Sequence, residues 1–75
     1  MVRLHLDVGR DAGVRPQDLV GAITSEAGVT GRAVGAIEIS DHHSIVEVVE
    51  EVASDVLAAL RRTRIKGKKA TIRQV

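Results

Sequence analysis

Apolar and polar residues alternate strictly at the start of the chain and then change to a helical period. Residues 2–8, Val-Arg-Leu-His-Leu-Asp-Val, are apolar at even and polar at odd positions, which predicts a half-buried strand. After a loop at 9–13, residues 19–27 place apolar side chains on one helical face. Pro16 suits the first turn of this helix and Gly28 its end, so the pattern predicts a helix between them.

The rest of the chain predicts three more strands and a second helix. In order these are a strand at 36–39, a polar turn at 41–43, a strand at 44–48, a helix at about 50–62, a turn at 66–68 and a strand at 69–74. The element order β-α-β-β-α-β predicts an α+β fold, with two helices on one face of a four-stranded antiparallel sheet. A chain of 75 residues should form one domain, residues 1–75.

The opposite face of the predicted sheet has no helix to cover it. Because side chains alternate between the two faces of a strand, this face should carry the odd-numbered positions of the first, third and last strands. Those positions are Arg3, His5, Asp7, His43, Ile45, Glu47, Thr71 and Arg73. The sequence thus predicts an exposed and largely polar sheet surface that is available for binding.

Charge is distributed unevenly along the chain. All ten carboxylates lie within residues 1–55, which have a formal charge of −6, whereas residues 56–75 contain four Arg and three Lys and no acid, a formal +7. A concentrated cationic segment attracts a polyanion even when the whole domain is nearly neutral. This asymmetry indicates a nucleic-acid partner.

The composition argues against several functional classes. No aromatic residue and no Cys occurs, so the core must be aliphatic and thiol chemistry is absent. Without a signal-peptide pattern or a membrane-spanning apolar run, we expect a cytoplasmic protein, or a fragment of one, with no membrane partner. No Walker or G-x-G-x-x-G sequence and no nucleophile–base pair is found, so we expect neither catalysis nor a cofactor. The adjacent His42 and His43 should point to opposite faces, which argues against a metal site.

Five blocks of the sequence occur in a characteristic combination. They are residues 8–16, VGRDAGVRP; 18–23, DLVGAI; 31–37, GRAVGAI; 43–48, HSIVEV; and 65–69, IKGKK. Together they resemble the DbpA-type RNA-binding domain at the C-terminus of bacterial DEAD-box RNA helicases, in the same order and over essentially the whole chain. One departure is Val49, where members commonly carry Pro at the start of the second helix.

This resemblance implies a fold similar to the RNA recognition motif and a tethering function. The domain would be a fragment of a longer ATP-dependent helicase chain and would bind structured RNA, in some members large-subunit ribosomal RNA. The helicase core would lie in cis. Any catalytic activity would belong to that core, so the isolated domain is expected not to be an enzyme.

Charge rather than base stacking should supply most of the RNA affinity. RNA recognition motifs stack bases on aromatic residues of the two central strands, each base contributing about 1–3 kcal/mol. Here His5, His43 and Ile45 occupy those positions, so most of that contribution is lost. The candidate RNA-binding residues are Arg3, His5, Arg10, Arg15, Arg32, His43, Arg64, Lys66, Lys68, Lys69 and Arg73.

Other roles remain open for several of these residues. Arg61 and Arg62 suit the C-terminal end of a helix dipole, the 66–69 segment suits a solvated turn, and Arg3 or Arg73 could pair with Asp7 or Glu47. The competing function is a protein-interaction or dimerisation module that uses the aromatic-free sheet. The polar character of the predicted open face argues against that alternative.

Overall fold

The computed structural model describes the whole chain, Met1–Val75, and confirms the predicted α+β fold. Its elements are β1 (Val2–Leu6), α1 (Pro16–Ala27), β2 (Val34–Ile39), β3 (Ser44–Val48), α2 (Ala53–Arg62), β4 (Arg64–Ile65), β5 (Lys68–Lys69) and β6 (Ile72–Gln74). The main sheet has four antiparallel strands in the order β2-β3-β1-β6. Neither helix is long and apolar enough to span a membrane.

The two central strands, β1 and β3, separate the core from the open face. Their register pairs Leu4 with Val46 and Val2 with Val48. Leu4, Leu6, Val46 and Val48 are completely buried under the helices, as the alternation predicts. The intervening residues of both strands therefore point to the opposite, uncovered face.

Aliphatic side chains alone fill the core. The helices contribute Leu19 and Ile23 from α1 and Val56 and Leu60 from α2, all with no exposed surface. Full burial of such a side chain stabilises the fold by about 1.5–3 kcal/mol. The absence of aromatic residues is thus compatible with a continuous core that holds both helices on one side of the sheet.

The helix boundaries have local causes. The backbone N–H of Arg15 donates to Asp18 Oδ2 at 2.9 Å and caps α1, while Gly28 ends it in the left-handed region at φ 68°. A 3-10 turn at Glu50–Val52 precedes α2. The backbone N–H of Val49 donates to the carbonyl of Ala33 at 2.9 Å, a bond that Pro could not make at this position.

One predicted strand is divided in the structure, whereas β1, β2 and α2 differ from the prediction only at their ends. The segment predicted as a single strand, 69–74, is divided: Lys68–Lys69 pairs with Arg64–Ile65 in a separate hairpin, and only Ile72–Gln74 joins the main sheet. Ala70 is buried between the two pieces, with 6% of its surface exposed. Strands of two residues are too short to produce a hydrophobic period, which is why the hairpin was not predicted.

Candidate nucleic-acid interface

Two of the predicted contact residues meet on the open face of the sheet. His5 lies directly opposite Ile45 on β3 and Arg73 on β6. The His5 and His43 rings stack with their centroids 5.2 Å apart and their planes 11° apart. The two stacked imidazoles lie on the open face, and His5 is directly next to the Arg73 position.

The part of the open face near β2 is acidic. Arg3 Nη2 lies 3.5 Å from Glu38 Oε2, and Glu47 stands opposite Arg3 on β3. Arg3 thus pairs with Glu38, and not with Asp7 or Glu47, the two partners that the sequence left open. Glu47 Oε1 instead accepts the backbone N–H of Ala36 at 3.3 Å. With two carboxylates nearby, Arg3 is less available to a phosphate than its sequence position suggests.

Arg10 is bound by other groups of the protein, although its side chain is exposed. Its guanidinium donates to Asp41 Oδ1 and to the carbonyl of Ile39, both at 2.9 Å, and its backbone N–H donates to the carbonyl of Ser40 at 2.8 Å. The residue before it, Gly9, lies so close to the β2–β3 turn that a Cβ atom there would be 2.2 Å from Ser40 O. The β1–α1 loop, residues 9–13, is thus fastened to the turn at residues 40–43.

A second contact joins the same two segments. His42 Nδ1 lies 2.8 Å from Asp11 Oδ2, and the Asp11 backbone N–H donates to the carbonyl of Asp41 at 3.0 Å. The hydrogen bond from His42 is the main cause that lowers the pKa of Asp11, and the positive charge of Lys68 adds to it. His42 therefore contributes to the contact between the loop and the turn, whereas its neighbour His43 lies on the open face.

The β4–β5 hairpin lies along α1, and its cations lie near the β1–α1 loop. Thr63 Oγ1 donates to Glu26 Oε1 at 2.7 Å, near the end of α1, and Lys66 Nζ lies 3.5 Å from Asp18 Oδ1 in its first turn. After the hairpin, the backbone N–H of Thr71 donates to Asp7 Oδ1 at 2.7 Å. The hairpin thus lies at the end of the main sheet where β1 stops.

Most cations of the chain have no acidic partner. Among the eleven Lys and Arg residues, ion pairs within 4.0 Å involve only Arg3, Arg10 and Lys66. The others are Arg15, Arg32, Arg61, Arg62, Arg64, Lys68, Lys69 and Arg73, all exposed. These unpaired cations are concentrated in residues 61–73, as the charge distribution predicted.

The predicted contact residues do not form one continuous surface. Arg64, Lys66, Lys68 and Lys69 lie on the hairpin, and Arg15 immediately precedes α1, whose first turn contacts Lys66. His5, His43 and Arg73 belong to the open face, and Arg32 precedes β2 at the opposite end of the sheet. Two partners of these residues and of the loop, Glu38 and His42, were not predicted. Strand alternation in β2 could have placed Glu38 on the open face, but no sequence signal indicates the contact between His42 and Asp11.

The fold and these surfaces define a class of protein. Two helices packed on one side of a four-stranded sheet, with an uncovered central strand pair and exposed cations, are typical of an RNA-recognition-motif-like module. The family model of the DbpA RNA binding domain matches residues 3–74. The chain therefore belongs to the DbpA RNA-binding domain family, which confirms the resemblance found in the sequence.

Curated relatives agree with this assignment. The chain is 38% identical over 64 residues to the ATP-dependent RNA helicase DeaD of Escherichia coli (strain K12), covering 85% of this chain and 10% of that protein. It is 36% identical over 73 residues to the ATP-dependent RNA helicase DbpA of the same strain, covering 97% and 16%. The corresponding values for DbpA of Bacillus subtilis (strain 168) are 31% over 72 residues, covering 96% and 15%. The chain spans only a small part of each relative.

Proposed function

We propose that this RNA-binding domain anchors a DEAD-box ATP-dependent RNA helicase to structured RNA in the bacterial cytoplasm. The helicase core would lie in the same longer chain, and residues 1–75 would take no part in catalysis. Tethering raises the local concentration of a core near its substrate and needs no chemistry in the tether. The observation that carries this proposal is the set of unpaired cations in residues 61–73, within a chain that matches an RNA-binding family.

Local electrostatics favour binding of phosphate at the hairpin end of the sheet. The nearby carboxylates already have partners: Asp7 accepts the backbone N–H of Thr71, Asp11 contacts His42, Asp18 contacts Lys66 and Asp41 contacts Arg10. Lys68 and Lys69 have no such partner. Because Arg and Lys bind phosphate oxygens through charge-assisted hydrogen bonds, an RNA backbone can reach these cations without displacing an internal ion pair.

The open face supports only a limited contribution from single-stranded RNA. Two stacked imidazoles offer less ring surface than the Phe or Tyr residues on which bases usually stack. Next to them, Glu38 and Glu47 repel phosphates. We therefore propose that the shape of a folded RNA provides specificity, with large-subunit ribosomal RNA as the candidate ligand, and that His5 and His43 add at most one base contact.

The candidate contact residues are not equivalent under this proposal. Arg64, Lys68 and Lys69 on the hairpin, with Arg73 on β6 and Arg15 just before α1, would meet phosphates. Arg3, Arg10 and Lys66 would contribute mainly to the fold, because each already pairs with a carboxylate. Arg32 would contribute least to the same site, since it lies at the other end of the sheet.

A protein-interaction module is the weaker alternative. The large hydrophobic residues that are exposed are the two chain ends, Met1 and Val75. The open face presents charged groups around the half-buried Ile45, and such a surface differs from the apolar centre of a dimer interface. No feature of the structure favours self-association over RNA binding.

Binding of the domain to RNA at several salt concentrations tests the proposal. A folded ribosomal RNA fragment and an unrelated duplex would be compared by fluorescence anisotropy. If about four cations meet phosphates, the log–log salt slope should be roughly −3, and the folded fragment should be preferred at moderate salt. No binding to either RNA at low salt would contradict the proposal, and light scattering would then test for a dimer.

A further inference from the structure

The turn of the β4–β5 hairpin has an unfavourable residue at its tip. Ile65 pairs with Lys68, so the turn consists of Lys66 and Gly67. Both have positive φ, 53° and 77°, as a type I′ turn requires. Gly, Asn and Asp are the residues that suit such a turn, and Lys66 is the one non-glycine residue of the chain with positive φ.

The strands of the hairpin place two like charges opposite each other. The register pairs Arg64 directly with Lys69, and both side chains are exposed. Like charges at directly opposed positions destabilise a strand pair. Neither residue has a carboxylate within ion-pair distance, and the Arg64 guanidinium makes only a 3.4 Å contact with the carbonyl of Gly67. The free protein therefore leaves this repulsion uncompensated.

The inner side of the hairpin holds it in place despite these features. Ile65, with 2% of its surface exposed, is part of the hydrophobic core, and Ala70 follows the hairpin into the core. Lys66 contacts Asp18 at the start of α1. The domain thus fixes the inner side of the hairpin, while Arg64 and Lys69 share the other side and face solvent.

Resting on the proposed function, we infer that the outer face of this hairpin, Arg64 and Lys69, is a preformed site for adjacent phosphates of an RNA backbone. Neighbouring strands lie about 4.8 Å apart, so two long cationic side chains on opposed positions can reach consecutive phosphates. The phosphates would supply the negative charge that the hairpin lacks. Binding of RNA then removes a repulsion that destabilises the free domain.

If Arg64 and Lys69 form this site, a substitution that removes their mutual repulsion should raise the stability of the free domain and lower its affinity for RNA. Such opposite changes are not expected for an ordinary solvated turn. Lys69→Glu replaces the repulsion by an ion pair with Arg64 and removes a phosphate contact. The melting temperature of the free domain should rise by about 1–5 °C, as expected for a cross-strand pair in a domain of this size. The affinity for the folded RNA fragment should fall by at least about tenfold at low salt, because a contact is lost and a negative charge faces the backbone.

The matched control is Arg32→Glu, which makes the same change of charge at the opposite end of the sheet. It should lower RNA affinity by only about threefold through the long-range field and should not raise the melting temperature.

The variant Lys69→Gln provides a second test. Its melting temperature should rise less than that of Lys69→Glu, and the magnitude of its log–log salt slope should be reduced by about 0.7–0.9. In the wild-type domain, RNA should slow hydrogen exchange of the Gly67 and Lys68 amides.

The outcomes distinguish the two proposals. If the wild-type domain binds RNA but Lys69→Glu loses no more affinity than Arg32→Glu, the hairpin site is wrong and the RNA-binding proposal stands. An unchanged or lower melting temperature of both Lys69 variants would also overturn the hairpin inference. If the wild-type domain binds neither RNA at low salt, the proposed function itself fails.

Discussion

The β1–α1 loop and the β4–β5 hairpin lie at the same end of the sheet, but their cations differ in whether they have an acidic partner. Arg10 in the loop is bound by Asp41 and by the carbonyl of Ile39. Lys69 in the hairpin has no acidic partner and stands opposite another cation. The comparison separates cations that already pair with a carboxylate of the same protein from cations that do not, and we propose that the second group contacts RNA.

The largest expected effect concerns the loop. Gly9→Ala should destabilise the domain by about 2–4 kcal/mol, because the new Cβ would lie 2.2 Å from the backbone oxygen of Ser40 and the two segments would have to separate. Chemical denaturation measures this change. Gly21→Ala is the matched control: its Cβ meets nothing within 4 Å, and in the middle of α1 it should stabilise the domain by up to about 1 kcal/mol. Equal effects of the two substitutions would mean that the loop is not fastened at Gly9.

A smaller effect on stability is expected from Arg10→Gln. The substitution removes an exposed ion pair and a hydrogen bond to the Ile39 carbonyl, so the free energy of unfolding should fall by about 0.5–1.5 kcal/mol. Thermal unfolding at neutral pH measures this. A variant as stable as the wild type would show that the Arg10 contacts are not needed to hold the loop on the turn.

The open face can be compared with the hairpin through His43→Ala. If one base stacks on the His5–His43 pair, the loss of one ring should weaken binding to the folded RNA by about twofold to fivefold, less than with a larger aromatic residue. The salt slope should not change, because no phosphate contact is removed. A loss larger than that of Lys69→Gln would place the main RNA contact on the sheet instead of the hairpin.

The smallest effect is a pH dependence of stability at the loop. The pKa of Asp11 in the folded domain is lowered below its ordinary value of 3.8, chiefly by the hydrogen bond from His42. Its stabilising contribution is therefore present above that ordinary value and is lost as pH falls through the lower pKa of the folded state. Asp11→Asn should be less stable than the wild type at pH 5–6, and the difference should shrink as the pH approaches 2. A difference independent of pH would contradict this role of the Asp11 carboxylate.

Hydrophobic periodicity was sufficient to predict the main elements, and in particular which side chains of β1 and β3 face the helices. It failed where elements are short. The hairpin strands Arg64–Ile65 and Lys68–Lys69 contain two residues each, so alternation cannot be recognised, and the buried Ala70 made residues 69–74 resemble one strand. Arg64 and Lys69 lie opposite each other because of the strand register and the hairpin geometry, which composition does not specify.

The site could be predicted only in part. The concentration of cations near the end of the chain follows from the sequence, but the pairing of individual cations does not. Arg3 and Arg10 meet carboxylates 35 and 31 residues away, contacts that depend on strand order and on side-chain reach. His5 and His43 were expected on the open face, whereas their mutual stacking depends on side-chain orientations that alternation does not specify.

The most direct test compares Lys69→Gln with Arg10→Gln in binding to the folded ribosomal RNA fragment over a range of salt concentrations. Both substitutions remove one positive charge at the same end of the sheet. Lys69→Gln should reduce the magnitude of the log–log salt slope by about 0.7–0.9, whereas Arg10→Gln should leave the slope unchanged. Equal reductions, or a reduction with Arg10→Gln alone, would contradict the assignment of the hairpin to RNA and of the loop to the fold.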